Sequence, residues 1–112
     1  MRMILIYNYV IYFYIGYLQM RTILDLKLHE EAVVVSINED TMIDKERYNK
    51  GDVESRLLDM GFIEGCIVTL MRRGLFGGEP FAIRINQNSS LISLRKSEAS
   101  AIFVGNTIGV VC

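Results

Sequence analysis

One histidine, His29, stands beside Glu30 and Glu31, and the two cysteines are Cys66 and Cys112. These residue types ligate metals or attack electrophiles, so their spacing decides what chemistry is open. A stable zinc or iron site needs several such ligands brought together, commonly from short paired spacings. A lone histidine next to two glutamates supplies half a site and reads as a solvated turn. Cys66 falls in a strand-like run and reads as a small buried apolar residue. Cys112 is the last residue of the sequence, and the pair makes neither a disulfide framework nor a spaced metal motif. A reducing compartment is the default for such a chain. The glycine-rich stretch GLFGG (74–78) lacks the G-x-x-x-x-G-K-S/T spacing of a phosphate-binding loop. General acid–base catalysis needs carboxylates or a histidine within hydrogen-bond reach of one another, and the acidic residues lie mainly in loop-like segments. The reading is therefore no enzyme, no cofactor and no stable metal site. Transient contact of a transition metal ion with Asp or Glu stays open.

Recognition of another protein is the chemistry that the residues do support. Arg72-Arg73-Gly74-Leu75-Phe76 puts two large apolar side chains in a tight loop flanked by arginine. Such combinations are typical of contact patches. Arg56, Asp59 and Gly61 belong to the same candidate rim, and Arg95 is a further candidate. Each has a purely structural alternative: Leu75 or Phe76 plugs one end of the fold, Arg56 pairs with Asp59 or Asp52, and Arg95 pairs with Glu98. Met60 and Phe62 read as core.

The elements that must position these residues centre on RLLDMGFIEGCIVTLMRRGLFGGEPFAIRI (56–85). Asp52 is placed to cap a helix carrying Val53, Leu57, Leu58 and Met60, at offsets of i, i+4, i+5 and i+7. Gly61 stands where the helix stops, a position that often needs the positive φ glycine reaches freely. Gly65 turns the chain into a strand, Cys66 to Met71. Residues 74–80, with Gly74 and Gly77, read as the loop before a second strand, Phe81 to Ile85. Upstream, Thr22 and Asp25 have the spacing of a capping box around one helical turn, with Ile23, Leu24, Leu26 and Leu28 expected to face inward. Ala32 to Ile37 is a β-branched strand, and residues 38–51 are a polar segment that reads as a loop or short helix touching the body through Met42, Ile43 and Tyr48. Leu91 to Leu94 and Ile102 to Val104 complete five short strands, with a helical turn at Lys96 to Ala99. Parallel-sheet βα alternation is absent, so the fold class is mainly β: a small, highly curved barrel of about five antiparallel strands with one or two short helices.

The 112 residues fit one domain. Residues 1–20 contain one charge, Arg2, and five of the six tyrosines. This hydrophobic extension reads either as a mis-assigned start, with Met20 the true one, or as a segment that touches a membrane. Residues 21–104 form the domain and 105–112 a tail. Residues 21–60 hold ten acidic and six basic side chains, while 61–112 hold three and five. That balance argues against a nucleic-acid-binding domain. An RNA-associated barrel would need Arg72, Arg73, Arg84, Arg95 and Lys96 to line one face.

With TILDLKLHEEAVVVSI (22–37) and SLISLRKSEASAIFV (90–104), residues 56–85 resemble the bacterial ferrous iron transport protein A family. The RLLDMGFIEG run, the glycine–proline loop and the LRKSEA run occur in the family's order. The resemblance implies an SH3-like barrel, a cytoplasmic location and binding to the membrane ferrous iron transporter, ferrous iron transport protein B, which carries a GTPase domain. The role it implies is accessory and regulatory, with no DNA partner and with self-association open. The same barrel resembles the C-terminal domain of iron-dependent repressors, so a stand-alone regulatory domain is the alternative; the chain lacks their helix-turn-helix region. Three departures stand out: a longer segment at 38–52, His29 where the family often has glycine, and a loop lengthened to Phe76-Gly77-Gly78-Glu79-Pro80.

Overall fold

The computed structural model describes residues 21–106. The readings of the hydrophobic extension, and of the tail beyond Asn106, lie outside the described residues. Six strands, one more than expected, form a single antiparallel sheet: β1 (Arg21–Thr22), β2 (Glu31–Ile37), β3 (Ile67–Gly74), β4 (Gly78–Ile85), β5 (Leu91–Leu94) and β6 (Ile102–Gly105). Their order is β1-β6-β2-β3-β4-β5, so hydrogen bonding runs unbroken from β1 to β5. The additional strand is β1, two residues that pair with Phe103 and Val104 just before the capped turn at Ile23–Asp25. That turn has the expected capping box. The Leu24 N–H donates to Thr22 Oγ1 at 3.2 Å, and the Thr22 N–H donates to Asp25 at 2.9 Å.

Among the described residues two helices pack on the sheet, α1 (Asp52–Asp59) and α2 (Lys96–Ser100). In α1 the i, i+4 pair Val53 and Leu57 is buried, whereas Leu58 faces solvent. Its end is a Schellman motif. Gly61 takes φ +105°, its N–H donates to the Leu58 carbonyl, and the Phe62 N–H donates to the Leu57 carbonyl, both at 3.0 Å. The corner turns Phe62 into the core, where full burial of a large apolar side chain is worth about 1.5–3 kcal/mol. Ile23, Leu26, Val68, Leu70, Ile83 and Ile102 surround the same centre. Leu28, expected inside, is half exposed, because the chain has by then turned outward. At the next residue His29 adopts φ +69°, and its N–H donates to the Leu70 carbonyl at 2.6 Å. Left-handed backbone of this kind favours glycine.

The start of α1 departs from the expectation. Gly51, not Asp52, is the capping residue, and it has no side chain to offer. The carboxylate of Glu39 comes instead from the 38–51 segment, accepting the Gly51 N–H and, at 2.9 Å, the Glu54 N–H. A negative group there also meets the positive end of the helix dipole. The segment itself forms two 3₁₀ turns, Glu39–Thr41 and Lys45–Arg47, and buries Met42. The segment thus supplies the side-chain cap that Gly51 cannot.

The Gly51 N–H and then the Glu54 N–H hold the Glu39 carboxyl below its ordinary 4.5. A lowered folded-state value means that this contribution is complete above about pH 4.5 and is lost as the pH falls through the lowered value. Glu39→Ala should therefore destabilise the domain by about 1 kcal/mol at pH 7. The gap to the parent should close as the pH falls below 4.5 and through the lowered value, as read by urea unfolding across that range.

Candidate partner-binding surface

β3 and β4 form a hairpin whose connection is shorter than the sequence suggests. Gly74 pairs with Gly78, leaving only Leu75, Phe76 and Gly77 outside the strands. At the tip, the Phe76 N–H and Glu79 carbonyl lie 3.4 Å apart, and the Glu79 N–H donates to the Phe76 carbonyl at 3.1 Å. Gly77 and Gly78 between them have φ of +65° and +91°, as a tight twisted hairpin turn demands at both central positions. Gly74 serves a different need: a Cβ there would fall 1.8 Å from the Glu79 carbonyl oxygen. The strands can approach so closely only because that side chain is missing.

This geometry pushes both apolar residues outward. Leu75 is 94% exposed and Phe76 83%, so neither plugs the fold. Arg72, at the hairpin's shoulder, is also exposed and makes no salt bridge among the described residues. Arg73 is committed differently. Its guanidinium donates to the Leu26 carbonyl and lies 5.7 Å from the centroid of the Phe81 ring, tying the hairpin to the Ile23–Asp25 turn. Asp59 is exposed at the end of α1, with no ion pair among the described residues.

Arg56 and Arg95 converge elsewhere. Together with Met60, Pro80, Ser93, Leu94 and Glu98 they line an open groove of about 350 Å³ between α1 and the ends of β4 and β5. Its floor holds Glu98, a carboxylate with only 4% of its surface exposed. Glu98 Oε1 accepts the Arg95 N–H at 2.8 Å, capping α2, and Oε2 pairs with the Arg56 guanidinium. Arg56 therefore pairs with neither Asp52 nor Asp59, and Glu98 meets the backbone of Arg95, not its guanidinium. Pro80 joins groove to tip, and the Lys96 N–H donates to Glu79 at 2.5 Å, holding the descending arm of the hairpin against α2.

Sequence reasoning did not single out Glu98 as a member of this surface. The i, i+3 spacing of Arg95 and Glu98 signals the cap, but nothing local signals the partner 42 residues away (98 − 56). Among the described residues no group of three or more His, Cys, Asp or Glu side chains could hold a metal ion. Cys66 is buried, and that burial pushes its thiol up from its ordinary range. No helix among the described residues is long and apolar enough to cross a membrane. The arrangement offers an apolar tip and a cationic groove on one relay of hairpin and helix.

Leu75→Ser and Phe76→Ser should each leave stability within about 0.5 kcal/mol of the parent. Glu98→Ala, which removes the acceptor of the Arg95 N–H and leaves the half-exposed Arg56 guanidinium to water, should cost about 1 kcal/mol. Urea denaturation of the three variants separates exposed contact residues from the buried carboxylate.

Residues 21–106 match the family model described as the FeoA domain. No curated protein sequence matches the chain. Among solved structures, the FeoA protein from Chlorobium tepidum is 24% identical, with a TM-score of 0.60 over 78% of this chain and 70% of that one. FeoA from Stenotrophomonas maltophilia, in complex with zinc, is 30% identical, with a TM-score of 0.59 over 75% of this chain and 88% of that one. It is described as a procaryotic SH3 domain protein and a candidate activating factor of bacterial ferrous iron transport. A manganese-dependent transcriptional repressor shares the fold at 15% identity, with a TM-score of 0.61 over 79% of this chain but 37% of the repressor. With its SH3-like sheet and a family match spanning every described residue, the chain belongs to the FeoA domain family.

Proposed function

We propose that this protein is an accessory factor of ferrous iron uptake that binds the cytoplasmic part of the membrane ferrous iron transporter and modulates it. The observation that carries the reading is the outward Leu75–Phe76 pair on a tightly built hairpin, in a member of the FeoA family. An exposed leucine and phenylalanine side by side cost solubility unless a partner covers them. Arg72 beside the tip, with Arg56 and Arg95 in the groove, supplies the charged rim that orients such a contact. The contact is one of recognition, and nucleotide turnover belongs to the transporter's own GTPase domain. The protein works in the cytoplasm, brought to the membrane by its partner. Likeness to the manganese-dependent repressor is a likeness of fold and supports no DNA-directed role here.

Co-purification of the full chain with the transporter's cytoplasmic GTPase region tests this. The parent should be retained, and the Leu75→Ser/Phe76→Ser double variant should bind at least about tenfold more weakly, the loss expected when two anchor side chains are removed. Absence of retention for folded parent protein, or equal binding by the double variant, would overturn the reading.

A further inference from the structure

The sheet has two edges, and they are finished differently. Among the described residues β1 is two residues long, and it carries Arg21, which pairs with Glu30 at 3.0 Å and donates to Asn106 at 2.9 Å. The Glu30 carboxyl in turn accepts the Lys27 N–H at 2.8 Å, and that bond and Arg21 hold it below its usual range. Shortness and charge are the means by which native sheets keep an edge from recruiting another strand. β5, four residues long, lacks the charge. Leu91–Leu94 is uncharged and free of proline, and its register against β4 runs without a bulge. Among the described residues no backbone bond from these four residues goes anywhere but into the β4 ladder.

The end of that bare edge leads into the groove. Ser93, Leu94 and Arg95 form one part of its wall and Arg56 and Met60 another, so two guanidinium groups stand there against the single carboxylate of Glu98. Arg95 has no ion-pair partner among the described residues. Arg56 is anchored through one nitrogen to a buried carboxylate and retains further N–H donors for a second acceptor. A guanidinium already fixed in place loses less freedom when it binds, so the Glu98 pair pre-orients the receptor.

We propose that β5 is a docking strand: an extended, acidic segment of the partner adds to its free edge, and a carboxylate on that segment pairs with Arg95 and Arg56. Main-chain bonds along Leu91–Leu94 supply sequence-tolerant affinity, and the two arginines select for the acidic side chain. This rests on the partner-binding reading above and specifies the form of the segment bound.

The test is amide hydrogen exchange by NMR on the full chain, with a capped hexapeptide of alternating Thr and Val ending in Asp. Two controls are its Asn-ended counterpart and an Asp-ended version methylated on every backbone nitrogen. The Asp-ended peptide should slow exchange in Leu91–Leu94 by about tenfold or more. The Asn ending, or Arg95→Ala, should weaken binding by about tenfold, the cost of a lost charged hydrogen bond. Unchanged exchange across β5 with the Asp-ended peptide would overturn the proposal, as would equal binding of the N-methylated one. Because no transporter enters this experiment, its failure is separable from a failure of co-purification.

Discussion

A single buried carboxylate fixes how the helices meet the sheet. Taking a charge out of water costs several kcal/mol unless it is paired and hydrogen-bonded. Among the described residues Glu98 meets that requirement with two contacts, the Arg95 N–H and the Arg56 guanidinium. The first holds the start of α2 against the end of β5. The second brings the last turn of α1 toward α2, and the groove is the space left between them. If either contact were broken, the other would face an incompletely satisfied charge. The geometry of the cationic groove thus follows from the solvation requirement of one side chain.

Around that constraint the fold is set by corners of two kinds. Gly61 and the Gly77–Gly78 pair supply positive φ, turning Phe62 into the core and closing the hairpin tip. Gly74 supplies closeness, since a side chain there would collide with the Glu79 carbonyl. The same hairpin therefore gains a rigid base and an outward tip from different properties of one residue type. Arg73 reinforces the base through Leu26 and Phe81, which leaves Arg72 as the arginine at the shoulder without such a tie among the described residues.

What the sequence made legible was local. The Thr22–Asp25 box, the stop at Gly61 and the strand from Phe81 to Ile85 each lie within a few residues, and each is present in the fold. The misreadings were of two kinds. Glu39 replaced Asp52 as the cap of α1, and Arg56 paired with Glu98, because both contacts join segments whose separation carries no periodic signal. The hairpin loop proved shorter because pairing of Gly74 with Gly78 depends on space at one Cβ, a property of the folded hairpin and not of loop composition. For the surface residues, sequence could name Leu75, Phe76, Arg56 and Arg95 but not sort them into a tip and a groove.

The size of that surface bears on how such a contact works. A stable protein–protein interface takes about 800 Å² from each partner, while a leucine and a phenylalanine at a hairpin tip can bury only about 300 Å² between them. The tip alone is too small to hold a partner for long. Affinity must then come from elements beside it: the arginines of the groove and the edge of β5, which has no further strand partner among the described residues. A contact divided among a small apolar anchor, screened charges and a few main-chain bonds forms fast and releases readily, since no one component dominates the off-rate. Such kinetics suit the role proposed above, in which the protein modulates a transporter during its cycle without becoming a permanent subunit of it.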